Sequence, residues 1–237
     1  MGYNYQVRLF SCRFLLAFCI VLLTACSSVV KQNGLLSSSE FKMASVVKTD
    51  INLVTETHQK IVFLALKELA LKLYKRNPSE WRKGGYQGAE EAVTELVKFP
   101  FMSINDMKSI DCIWLSVDDG FEGDRVQAFI AGLQTMIFEA YQSQREFYMI
   151  DFLDAQKLYN SARNVEVASW LIRTKQSASG AVFLVSSGDA EEVNLSFERL
   201  FGKIINAQDM IAQIMANRQH RVLKSALQSM VTAFIPI

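Results

Sequence analysis

The chain has 237 residues, half of them apolar, with 25 Lys+Arg against 24 Asp+Glu and a net charge of +1. So even a balance gives no electrostatic case for nucleic acid or for a polybasic contact with anionic lipid. The length suits one domain, or one with a small appendage, and the apolar half is enough to build a real core.

The first 25 residues hold Arg8 and Arg13 and no acid, and Phe14 to Ala25 then run 12 residues without a charge. A permanent span needs about 20 apolar residues, so a basic start followed by a short apolar run predicts an export signal. The run ends in Leu23, Thr24, Ala25 and Cys26, that is Leu, a small or polar residue, a small residue, then Cys. On these residues the segment 1–28 resembles the lipobox-bearing signal of bacterial lipoproteins. The resemblance implies that the Cys26 thiol takes a diacylglyceryl group, that cleavage falls before Cys26 and that the freed amine is acylated. It further implies a membrane partner reached through this covalent lipid and no other cofactor. Because Ser27 and not Asp follows, it points to the outer membrane, with the domain facing the periplasm. Two or more acyl chains, at about 0.8 kcal/mol per buried methylene, anchor stably. The alternative is an ordinary signal or anchor carrying a chance Cys.

Without residues 1–25 the balance becomes 23 basic to 24 acidic residues, a net charge of −1. Cys12 and Cys19 leave with the signal and Cys26 carries lipid, so Cys112 alone remains. One thiol can make neither an internal disulfide nor a Cys-type metal cluster, and the expectation for Cys112 is a small buried apolar residue. Residues 26–39 read as the lipidated Cys and a Ser-rich tether, whose 13 residues after Cys26 reach about 20 Å. Residues 40–237 form the domain.

Glu40 to Arg76 contains neither Pro nor Gly. Ile61, Leu64, Ala65, Leu69, Lys72 and Leu73 follow helical spacing, and "IVFLALKELALKLY" is apolar on more than one face, which predicts a helix buried on most sides. Thr49 or Asp50 could cap a break within it, and Asn77-Pro78 stops it. Residues 77–88 are expected as a loop, 89–98 as a short helix closed by Pro100, and 102–109 as a further helical turn. "DCIWLSV" (111–117) reads as a short strand or an extended core segment. Asp124 opens a strong helix with Val126, Phe129, Ile130, Leu133, Ile137, Ala140 and Tyr141 on one stripe. Gly132 within that helix marks a close crossing. Helical patterning continues, with room for a break, through Phe147, Ile150, Leu153, Leu158, Ala162, Val165, Ala168 and Trp170. "SASG" (177–180) interrupts, "AVFLV" (181–185) is a strand or buried connector, and two helices follow, about 189–216 and 218–234. The sum is a mainly α, multi-helix, bundle-like domain of about six or seven helices that allows one small strand pair.

Two short stretches carry candidate chemistry. The acidic turn 118–124 brings Asp118, Asp119, Glu122 and Asp124 together, and a hard cation such as calcium wants several such oxygens. EF-hand spacing fails, since the twelfth position from Asp118 is Phe129, and the plainer alternative is a solvated turn whose Asp124 caps the next helix. "WRKGGYQG" (81–88) places Trp81, Arg82, Lys83 and Tyr86 among three glycines. These are residue types that suit a partner contact, set against a mobile connector with Trp81 tucked into the core. Ser45-x-x-Lys48 matches the nucleophile signature of penicillin-binding enzymes but lacks its companion motifs. His58 and His220, the only histidines, lack the Glu-x-x-His spacing of a di-iron bundle. The first expectation is therefore a non-enzymatic adaptor or accessory factor of envelope assembly with a protein partner. An envelope enzyme working through the acidic turn and the Arg82–Lys83 loop, and a carrier of an apolar ligand, are the alternatives.

Overall fold

The computed structural model describes residues 48–148, 151–186 and 195–233. The signal, Cys26, the tether and Ser45 lie outside the described residues. The rest is mainly α, with seven helices and, among the described residues, no strand. The helices are α1 (Asp50–Arg76), α2 (Pro78–Lys83), α3 (Ala89–Leu96), α4 (Ser109–Leu115), α5 (Arg125–Ala140), α6 (Ala155–Thr174) and α7 (Ser196–Ala233). Among the described residues no helix is long and apolar enough to cross a membrane.

α5 is the axis of the core. Its predicted stripe is buried in full, and so are Ala128, Ala131, Gln134, Thr135 and Met136 on its other sides. Asp124 caps it, its side chain accepting from Gln127 N at 2.8 Å. α4 crosses it at Gly132, where a β-carbon would stand 2.7 Å from Ser109 O and 2.9 Å from Ile113 N. Only a residue without a β-carbon lets the two backbones approach this closely. α1 packs on α5 and on α7, and α6 packs on α7. α7 buries Phe197, Leu200, Phe201, Ile204, Ala207, Ile211 and Met215, the regular stripe of an amphipathic helix.

Several elements differ from the sequence expectation. Segment 111–117 is not a strand: α4 starts at Ser109, and Cys112, Ile113, Ser116 and Val117 are buried, a spacing that marks one helical face. Segment 181–185 is a connector with a single bridge, Gln176 to Val182, so the strand pair is absent among the described residues. Residues 102–109 make a tight turn closed by reciprocal Ile104–Met107 bonds rather than a helical turn. The 77–88 loop contains α2, because Pro78 at the first helical positions starts a helix as readily as it ends one. The two C-terminal helices are one, since neither Gly nor Pro interrupts the chain near 217. Trp170, counted on an apolar stripe, is exposed, because α6 buries the Leu158, Ala162, Val165, Ala168, Leu171 and Ile172 face instead.

α1 buries Val62, Ala65, Leu66, Leu69, Ala70, Leu73 and Tyr74. Its second apolar face is open: Phe63 is half-buried and Leu64 is 48% exposed.

Candidate functional site

The acidic turn is organised from inside by a cation the protein supplies itself. Buried Arg125 donates through Nη1 to the carbonyls of Ser116 (3.0 Å) and Asp118 (2.7 Å) and through Nη2 to that of Phe121 (2.6 Å). Its guanidinium lies 4.7 Å from the Phe183 ring centre and 5.8 Å from that of Phe121. The carboxylates turn elsewhere: Asp118 Oδ1 accepts from Gly120 N at 2.8 Å, Asp119 Oδ1 accepts from Ala178 N at 3.3 Å, and Glu122 is exposed. Asp124 is 4% exposed and faces the core. Among the described residues no three His, Cys, Asp or Glu side chains are grouped as metal ligands.

Asp124 belongs to a buried acid cluster. Tyr74 donates to its Oδ2 at 2.8 Å, and Glu80, 4% exposed, accepts from Arg125 N at 2.8 Å and from Lys83 Nζ at 2.8 Å. Burial pushes the Asp124 carboxyl up to about 6, with Glu80 adding to the rise against the opposing hydrogen bonds from Gln127 N and Tyr74. Burial and the adjacent Asp124 hold the Tyr74 hydroxyl far above the ordinary tyrosine range. The cluster joins the end of α1, the N-terminus of α5 and α2, and its hydrogen bonds are internal. Beside it, Asn77 grips the 181–186 connector, donating to Val185 O at 3.0 Å and accepting from Val185 N at 2.8 Å.

Of the four candidates in 81–88, Trp81 is half-buried on the core and Arg82 lies over its ring at 4.8 Å. Lys83 is tied to Glu80. Tyr86, offered by its residue type as a partner contact, is half-buried against the core, and its hydroxyl accepts from Gln127 Nε2 at 3.3 Å. Burial, then Asp124, raises its pKa. The glycine-rich stretch is thus packed down by its aromatics, and Arg82 and Lys83 remain exposed.

Cys112 is buried, with Sγ donating to Met107 O at 3.1 Å, and burial pushes its thiol up. Lys48 pairs with Glu56. His58 Nδ1 lies 3.1 Å from Ala207 O, a helix-to-helix contact, and His220 is exposed.

The site that the sequence did not single out lies on the open face of α1. Phe63 from α1, Phe99 and Phe101 from the α3–α4 connection and Phe138 from α5 form one aromatic cluster. Phe63 stacks on Phe101 at 5.1 Å, and Phe138 meets Phe101 edge-on at 5.3 Å and Phe99 at 5.6 Å. The rings line a groove of about 400 Å³ with Leu64 and Val97. Phe99 is 51% exposed. On the rim stand Lys60, Lys67 and Arg145, all exposed, with the Arg145 guanidinium 5.1 Å from the Phe99 ring centre. None of the three joins an ion pair among the described residues. Glu56, the rim's one acid, is engaged by Lys48 and by Phe147 N. Gln134, also lining the groove, is 1% exposed and its Oε1 has no hydrogen-bond donor.

A signal for this groove existed in the sequence. Phe138 lies off the buried stripe of α5, Phe63 lies off that of α1, and "KFPF" (98–101) puts two aromatics in a connection, while Leu64, counted on the α1 stripe, is 48% exposed and lines the groove instead. Large apolar residues that miss their helix's core stripe have to meet something else. Compared with known proteins, the chain matches no family model, no curated protein and no solved structure.

Proposed function

We propose that the protein is a lipid-anchored envelope protein, held to the outer membrane through Cys26, that acts in the periplasm as a non-enzymatic adaptor and makes its partner contact with the Phe63–Phe99–Phe101–Phe138 groove. The observation that carries the contact surface is the aromatic cluster itself. Four phenylalanines from three elements meet around the groove, with Phe99 51% exposed and Phe63, Phe101 and Phe138 half-buried, and apolar surface left uncovered in this way marks interaction sites. The address rests on Leu23-Thr24-Ala25-Cys26 and the basic, short apolar run before it. The buried acid cluster and Arg125 make bonds within the fold, which supports binding over catalysis as the use of the domain.

A second reading, carriage of a small apolar ligand, is favoured by the groove's volume, which is within the range of small-molecule sites. A photo-crosslinking residue at position 99, compared in cells with one at exposed Val167 on α6, separates the readings. The adaptor reading expects discrete protein adducts from position 99 and not from 167. Adducts to lipid or small molecules alone support the carrier. Labelled-palmitate incorporation tests the anchor, and Cys26→Ala is expected to abolish it.

A further inference from the structure

The groove is not only apolar. Its rim is cationic, and that restricts what can fill it. We propose that its occupant is a segment of a partner protein with a large apolar side chain flanked by acidic residues; this rests on the reading of the groove as the contact surface. The apolar side chain lies among Phe63, Phe99, Phe101 and Phe138. The acids face Lys60, Lys67 and Arg145.

Charge complementarity carries the acidic flanks. Lys60 and Lys67 lie seven residues apart, two turns along the same side of α1, and Arg145 lines the same groove beside Phe99. With Glu56 already engaged by Lys48, three cations stand around an apolar opening. Cations at the edge of a contact steer and select a partner of opposite charge. Three cations around one opening are more than a single acyl carboxylate can neutralise, so a segment bearing several acids matches the rim better than a free fatty acid does.

The test uses the full chain in lipid nanodiscs and two fluorescent peptides, acetyl-Glu-Glu-Phe-Leu-Glu-Glu-amide and its Lys-flanked counterpart, followed by anisotropy. The acidic peptide is expected to bind at least about tenfold tighter, with the preference shrinking as salt rises. Lys60→Glu with Lys67→Glu should reverse the preference. Phe99→Ala should weaken both peptides, and because Phe99 is half-exposed that variant keeps its fold. Equal binding of the two peptides, or hexadecanoate outcompeting the acidic one, overturns the proposal. If position 99 still captures proteins in cells while the acidic peptide fails, the groove remains a contact surface and the acidic partner is wrong. If position 99 captures none, the adaptor reading itself falls.

Discussion

The Tyr74 hydroxyl donates to Asp124 Oδ2 at 2.8 Å, and this one bond ties the last turns of α1 to the capping residue of α5. Both side chains are buried, so neither has water as an alternative partner. Tyr74→Phe keeps the ring packing and deletes only the donor, leaving a buried carboxyl oxygen short of a bond. We expect a loss of about 1–3 kcal/mol in urea unfolding, with the helical circular-dichroism signal unchanged. A loss below a few tenths of a kcal/mol would mean that Oδ2 finds another donor.

The same carboxyl makes stability depend on pH in an unusual direction. Its folded-state pKa is raised from 3.8 to about 6. Between those values the folded state holds a proton that the unfolded chain has released, so stability falls as pH rises. The contribution is fully present below about pH 3.8 and is lost as pH rises through about 6, amounting to up to about 3 kcal/mol. Asp124→Asn keeps an oxygen for the Gln127 N–H and cannot ionise. The stability of the Asn variant relative to wild type should therefore increase from pH 4 to pH 7.5, as read from urea midpoints. A flat difference would show that Asp124 titrates at its ordinary value.

Arg125 makes a prediction about calcium. With the guanidinium bonded to the Ser116, Asp118 and Phe121 carbonyls, the turn has its cation already. Millimolar calcium should leave the wild-type melting temperature within error. Arg125→Met should destabilise by about 2–4 kcal/mol, because three carbonyls lose charge-assisted bonds at once. A calcium-dependent rise in wild-type melting temperature would restore Asp118, Asp119 and Glu122 as ligands.

Gly132 and Gly202 should respond oppositely to alanine. At Gly132 the new methyl meets backbone atoms of α4 at 2.7 and 2.9 Å, which cannot step aside as a side-chain tip would. The expected cost is about 1–3 kcal/mol. Gly202 is exposed within α7 and has nothing within 4 Å of the added carbon, so alanine should gain up to about 1 kcal/mol in helix propensity. Thermal melts of the two variants check the pair.

These residues also show what could be read from the sequence. The α5 stripe, the Asp124 cap and the close crossing at Gly132 were legible because each depends on local spacing and on one residue's own chemistry. α4 was not, because Ile113, Trp114 and Val117 carry strand-like propensity, and packing on α5 outweighs that weak preference. The packing of Tyr86 was not legible for a related reason: a glycine-rich stretch looks mobile, yet its aromatics are drawn onto the core. The acidic turn was legible in composition and not in use, since nothing local says that Arg125 turns back beneath it. The groove needed three elements to meet, and only the off-stripe positions of Phe63 and Phe138 hinted at it.

The burial of α5 sets how the molecule opens. Thirteen of its 16 residues are buried, and α1, α4 and α6 all pack against it. An amide at Leu133 has no nearby surface from which a local fluctuation could admit solvent, so its proton exchanges only when the whole domain comes apart. The rate of deuterium uptake along α5 is therefore a readout of global unfolding, whereas uptake in the 98–102 connection, which carries Phe99 at the surface, reports on the groove alone.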